Sequence, residues 1–295
     1  MSFASLSVLG ITAVVISSAA QAAQSSIPEF APNPAVGWIL ANRGYEAPPA
    51  GAGPLVQDPA HPLISNDEFR RSGRQPTMPV ADLGNPILQP WTREELRKLN
   101  EFAIAGKALS LGASCWPMGG AAFLQRNIQP YFFIQGPDRI VIVEQHDGQF
   151  RQIYLTDRHS ANVKPSWSGE SIGHYEGEEL VVDTIGVSTK AAADRFGTPH
   201  TDQLHVVERF RMTDGGNRME VRTHVEDPGA FTMPWDGILR FRRVEPGRAE
   251  NTLPLSPVSG AMPAGPLVEM RCAENPFSYF GNDTVPIPKT DTPDF

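Results

Sequence analysis

The amino-acid sequence predicts a mainly β protein built on an antiparallel β-barrel of about eight strands, with one N-terminal helix and Pro-rich arms. Three observations carry this prediction. Between about Tyr131 and Val244, apolar and polar residues alternate with a period of two, the spacing of a strand with one buried face. Gly136-Pro-Asp, Asp147-Gly, Gly177 and Asp214-Gly-Gly-Asn217 interrupt the alternation at short intervals, where hairpin turns demand such residues. The segments between them are short and tightly joined, so they curl into an up-and-down barrel or a strongly bent sheet, with a sandwich as the alternative.

The elements follow in chain order. Residues 1–22 are expected to be a signal peptide: an apolar and small-residue run from about Leu6 to Ala20 leads into Ala20-Gln21-Ala22, a small-x-small cleavage pattern. The run is too short and too rich in Ser and Ala for a membrane anchor. Residues 23–90 carry frequent prolines ("APNPAVGW", "YEAPPAGAGP"). Pro prevents long helices and removes strand donors, so an irregular arm lying over the domain is expected. In 91–125, Thr92 and Glu95 have capping-box spacing, and Leu96, Leu99 and Ala103 follow at helical intervals. The helix should end near Ala105-Gly106, before a turn containing Cys115. The barrel occupies 126–250, from "YFFIQ" and "RIVIVEQ" to "GILRFRRV". Residues 251–295 form a tail that returns to Pro, Ser and Gly.

Composition narrows the function. Of 295 residues, 40% are hydrophobic and 20% charged, which is globular and too polar for a membrane-embedded protein. A net charge of −8 argues against a nucleic-acid surface, which needs clustered Lys and Arg. In an exported chain the two cysteines, Cys115 and Cys272, are expected to pair. Such a bridge ties the tail back to the core and contributes ~4–5 kcal/mol on the chain-entropy model.

Alternation also assigns faces. Leu204, Val206, Glu208 and Phe210 share one side, expected to point inward. Arg151, Ile153, Leu155, Asp157 and His159 share another, as do Ile140, Ile142 and Glu144, and Val181 with Asp183. Several strands thus aim an acid or base at an apolar face. A buried charge must be paired or neutralised, and Arg151 can pair with Glu144 or Glu208. One reading is an ion-pair network that holds barrel register. The other is a site exchanging protons with a bound molecule. There His159 and His174 carry protons, and Asp157, Glu176 or Asp183 orients one of them. Glu208 or Glu144 is the buried acid, and Arg151 and Arg158 stabilise an oxyanion. Tyr154, Trp167 and Trp235 join the substrate surface near the barrel mouth. Seven histidines are spread along the chain without a HExxH or His-x-His pattern. His200, Asp202 and His205 are a loose imidazole–carboxylate group of the kind that binds zinc. No cofactor is expected.

"WSGESIGHYEGEELVVDTIGV", together with "RQIYLTDRHS", "HTDQLHVVERF", "DPGAFTMPW" and Cys272-Ala-Glu-Asn275, resembles a family of uncharacterised secreted bacterial proteins. The resemblance spans roughly residues 115–280, with Tyr175 where the family usually has Trp and Thr156-Asp157 where it has Asp-Gly. It implies a common fold and the cysteine pair. Calycin and lipocalin barrels are similar in architecture alone. The expected function is an exported enzyme performing acid–base chemistry (elimination, hydration or isomerisation) on a small, largely apolar molecule in the barrel cavity. The alternatives are a lipocalin-like binding protein and an interaction module using the Pro-rich arm.

Overall fold

The computed structural model describes residues 28–245, apart from 43, 65, 76, 107–116, 126–129 and 145–148. The expected signal segment, the tail, the Asp147-Gly148 turn and both cysteines lie outside the described residues. Nine strands close one barrel: β1 (Gly37–Leu40), β2 (Tyr131–Gln135), β3 (Arg139–Glu144), β4 (Phe150–Leu155), β5 (Glu170–Glu176), β6 (Glu179–Ile185), β7 (His205–Thr213), β8 (Arg218–Glu226) and β9 (Trp235–Val244). The predicted strands all form. The turns behave as their composition requires: Gly177, at φ 60°, lets β5 and β6 meet in a tight hairpin.

Two features depart from an up-and-down antiparallel barrel. First, β4 and β5 pair in parallel, Ile153 opposite Ser171 and Leu155 opposite Gly173. The chain needs residues 156–169 to return to the same end, so β4 stops at Leu155. Asp157 and His159 therefore lie beyond the strand, and its alternation does not govern where they point. Second, the arm expected to be irregular contributes β1, which pairs with β9 from Gly37↔Val244 to Leu40↔Phe241 and meets β2 at Trp38↔Tyr131. All four of its residues are buried. Without it the sheet has two open edges. The arm also contains a short helix, α1 (Asn66–Ser72).

The long helix, α2, runs Pro90–Ile104, and its N-terminus corrects the capping-box reading. Gln89 is the N-cap, with no side-chain cap bond, and Pro90 opens the helix, where its fixed φ suits the first turn. Thr92 lies inside the helix, buried, with its hydroxyl donating to Ala230 O at 2.8 Å. Glu95 pairs with Lys98 instead of reaching back. No helix among the described residues is long and apolar enough to cross a membrane.

The interior has two apolar clusters separated by polar residues. One cluster includes Phe30, Trp38, Tyr131, Phe133, Phe210, Val221 and Leu239. The other, at the opposite end, packs Leu88, Leu96, Val206, Val225, Phe231 and Trp235 under the arm and α2. Along β7, β8 and β9 the changeover falls at Glu208, Thr223 and Gly237. Glu208 pairs in register with Thr223, and Thr223 with Gly237. Residues directly opposite on antiparallel strands share a face, so these three line up across the inside of the barrel. The hollow expected from the sequence is thus largely occupied by side chains.

Candidate functional site

The expected site residues separate into two groups on opposite faces of the sheet. The inner group is a polar belt. Arg151 and Glu208, each 1% exposed in the side chain, form an ion pair at 2.5 Å. Arg151 Nε donates to Ser171 Oγ at 3.0 Å, and Nη2 to Thr184 Oγ1 at 2.8 Å. Ser171 and Thr184 face each other in register and share a hydrogen bond of 2.9 Å. Of the two partners open to Arg151, the structure selects Glu208; Glu144 is also buried and inward. Among the described residues two belt atoms have no partner, Arg151 Nη1 and Glu208 Oε1, and the Thr223 hydroxyl lies beside the Tyr45 phenol. Tyr45 closes the belt, donating to Ala121 O at 3.1 Å. Burial, reinforced by the negative field of Glu208, pushes its phenol far above the usual range, so it stays a neutral donor.

The outer group corrects the assignment of β6. "LVVDT" offers apolar residues on both faces, so the sequence pattern alone is ambiguous. Register resolves it: Leu180 lies opposite Phe210 and Val182 opposite Glu208, both inward. Val181 and Asp183 therefore face outward. His174, opposite Val181, is outward too, and with Glu176 and Arg209 makes an exposed cluster on the barrel wall. Tyr175 takes the inward place.

On this outer wall Asp183 meets two histidines. Its Oδ1 is 2.8 Å from His159 Nε2, and its Oδ2 is 3.0 Å from His205 Nε2. His159 comes from the β4–β5 crossover, and its Nδ1 is 3.0 Å from Glu170 Oε1 on β5. Glu170 is itself held by the Ser160 amide and hydroxyl at 2.7 and 2.6 Å. Beyond His205 the pattern continues: Nδ1 stands 3.5 Å from Glu226 Oε2. Glu226 Oε1 contacts His224 Nε2 at 3.1 Å, and His224 Nδ1 contacts Asp236 Oδ1 at 2.8 Å. Acid and imidazole alternate from β5 to β9. The 3.5 Å contact at His205 Nδ1 is the longest in the row.

The electrostatics follow these contacts. The hydrogen bond from His205, against the cost of partial burial, holds Asp183 below the usual carboxylate range, and His159 assists. Asp183 in turn raises His205 above its ordinary value. Burial works against His224, but Asp236 and Glu226 raise it. A histidine raised on folding adds stability below pH 6.5 and loses it as pH climbs through the folded value. An aspartate lowered on folding adds stability above about pH 4 and loses it as pH falls through the folded value. The His205–Asp183 contact is therefore fully effective between about pH 4 and 6.5 and weakens on either side.

The remaining expected residues do not converge. Asp157 and Arg158 are exposed on the crossover. Tyr154 is 40% exposed under the Arg139 guanidinium. Trp235 is buried in the second cluster, and Trp167 packs against it, so Trp235 offers no ligand surface. His200 is buried, with Nδ1 on Thr201 O at 2.8 Å, whereas Asp202 is exposed and His205 belongs to Asp183. Among the described residues no group of three or more is arranged to hold a metal ion. Sequence reasoning passed over Glu170, His224, Glu226 and Asp236, and saw His205 as a weak metal ligand only. The missed signal was period-two placement on the solvent face: His205 opposite Glu226, and His224 opposite Asp236.

Fold and site together define a closed β-barrel of mixed pairing, internally braced by a buried ion pair and carrying an acid–imidazole row on its outer wall. No protein-family model, no curated protein and no solved structure matches the chain.

Proposed function

We propose that the protein is an exported enzyme that performs general acid–base chemistry on a small organic molecule, working at the outer wall of the barrel and not in its interior. One observation supports this reading above the rest: His205 is held by Asp183 through Nε2 at 3.0 Å, while its Nδ1 makes the longest contact of the row, 3.5 Å to Glu226 Oε2, which also raises the imidazole. A general base needs one ring nitrogen fixed and the other within reach of a substrate proton. His205 has that arrangement, with its side chain 34% exposed. His159 and Glu170 act as positioning residues, holding Asp183 from the far side. His205 Nδ1 takes a proton from the substrate, and the imidazolium formed is stabilised by Asp183. The same nitrogen returns the proton in an elimination, hydration or isomerisation.

The test is a turnover screen of the purified protein against small hydroxy, enol and unsaturated carbonyl compounds, each followed by proton–deuterium exchange. His205→Asn and Asp183→Asn should lower the rate by about 10²–10⁴-fold. Arg222→Ala, on the outer wall beside Glu220, should leave it unchanged. Full activity in His205→Asn, or exchange with no compound in the wild type, would remove this reading.

A further inference from the structure

A cleft of ≈470 Å³ opens between the N-terminal arm and the β6–β7 connection, lined in part by Tyr45, Leu55, Val56, Phe196, Asp58 and Arg195. None of the acid–imidazole row lines it. Its walls are mostly apolar, but its floor is not. Tyr45 faces the cleft with part of its ring, while its phenol lies in the fields of Glu208, Arg151 and Asp194 and beside Thr223. The ring is therefore the partition between the cleft and the belt. It rests on Gly237, where a Cβ would fall 2.7 Å from Tyr45 Cδ1, so that position leaves the space the ring occupies. On its other side the ring packs edge-on against Trp235, centroids 5.4 Å apart.

Behind this partition lie Arg151 Nη1 and Glu208 Oε1, unpartnered among the described residues, and the Thr223 hydroxyl, which displacement of Tyr45 would free. Buried polar atoms without partners are costly, and an occupant that satisfies them gains the whole of that cost back. Their chemistry specifies the occupant. Arg151 Nη1 needs an acceptor, Glu208 Oε1 needs a donor, and the Thr223 hydroxyl serves as either. Arg151 and Glu208 already neutralise each other, so a charged guest imports an unpaired charge into a buried interior.

We propose that this cleft is a second, separate binding site, taking a neutral amphipathic small molecule. Its apolar body lies in the cleft, and its terminal hydroxyl or carboxamide displaces the Tyr45 ring and meets the belt atoms. The site differs from the acid–base row in residues and in ligand chemistry. It concerns binding only and stands whether or not the row catalyses.

The experiment titrates 3-phenylpropanol and 3-phenylpropanamide, with 3-phenylpropanoate and 3-phenylpropylamine as charged counterparts. The readout is the Trp235 indole N–H resonance, assigned with Trp235→Phe. Saturable shifts with the two neutral probes, at least tenfold weaker binding of the charged pair, and loss of the shifts in Val56→Trp support the site. Tyr45→Phe removes the bond to Ala121 O that holds the ring in place and should strengthen binding of the neutral probes by about tenfold. His205→Asn should leave every affinity unchanged. The proposal is overturned if no probe saturates, which means water alone fills the belt. It is equally overturned if charged and neutral probes bind alike, or if Val56→Trp binds as wild type does.

Discussion

Replacing Arg151 with Met is expected to destabilise the protein by about 3–5 kcal/mol, because it leaves the Glu208 carboxylate uncompensated in the barrel interior. The side chain of Glu208 is 1% exposed, and its Oε2 accepts from Arg151. Ser171 and Thr184 lose their charged partner in the same step. Adding Glu208→Leu should restore most of the loss, since a well-packed apolar pair commonly replaces a buried ion pair at little cost. Urea unfolding followed by tryptophan fluorescence separates the two cases. A single variant within about 1 kcal/mol of wild type would show that the belt does not brace the barrel.

Truncating Trp38 to Ala is expected to cost a comparable ~3–5 kcal/mol. Trp38 is fully buried in the strand that closes the barrel, and its indole donates to Phe30 O at 2.8 Å. The loss therefore combines a large cavity with the release of the strand that joins β2 to β9. Trp91 is the natural comparison. It is 41% exposed on α2, and its indole donates to Gly229 O. Trp91→Ala should cost no more than about 1 kcal/mol.

How far the fold can be read from the sequence depends on where local pattern and tertiary register agree. Strands β2 to β9 are legible because each is an alternating or, as in β6, continuous apolar run bounded by turn residues. The inward placing of Glu208, Glu144 and Arg151 followed from that pattern and is correct. β1 was hidden: four residues between prolines, buried on both faces, have no alternation to display. Its assignment comes from β9, some two hundred residues later, through pairing such as Trp38↔Arg243. Asp183 was misplaced because consecutive apolar residues let β6 lie either way, and only pairing with Glu208 and Phe210 decides. His159 lies past the end of β4, where alternation no longer places it, and reaches Asp183 from the crossover. Of the acid–imidazole row, then, two members were chosen as proton-handling groups and one as a metal ligand. The others lie on the solvent face, outside the apolar alternation that marks the interior.

The histidine row also explains why a search confined to cavities is insufficient for this chain. Its members are partly exposed and lie on five different strands and one crossover. They converge only because outward positions on neighbouring strands stand directly or diagonally opposite one another. The relation of Asp183 to His205 is the point on which the functional reading rests. Heteronuclear NMR titration of the His205 side chain, in wild type and in Asp183→Asn, measures it without knowledge of the substrate. A midpoint above pH 6.5 that falls toward the ordinary histidine value in Asp183→Asn is the predicted result. A midpoint at or below 6.5 that Asp183→Asn does not move would contradict this relation.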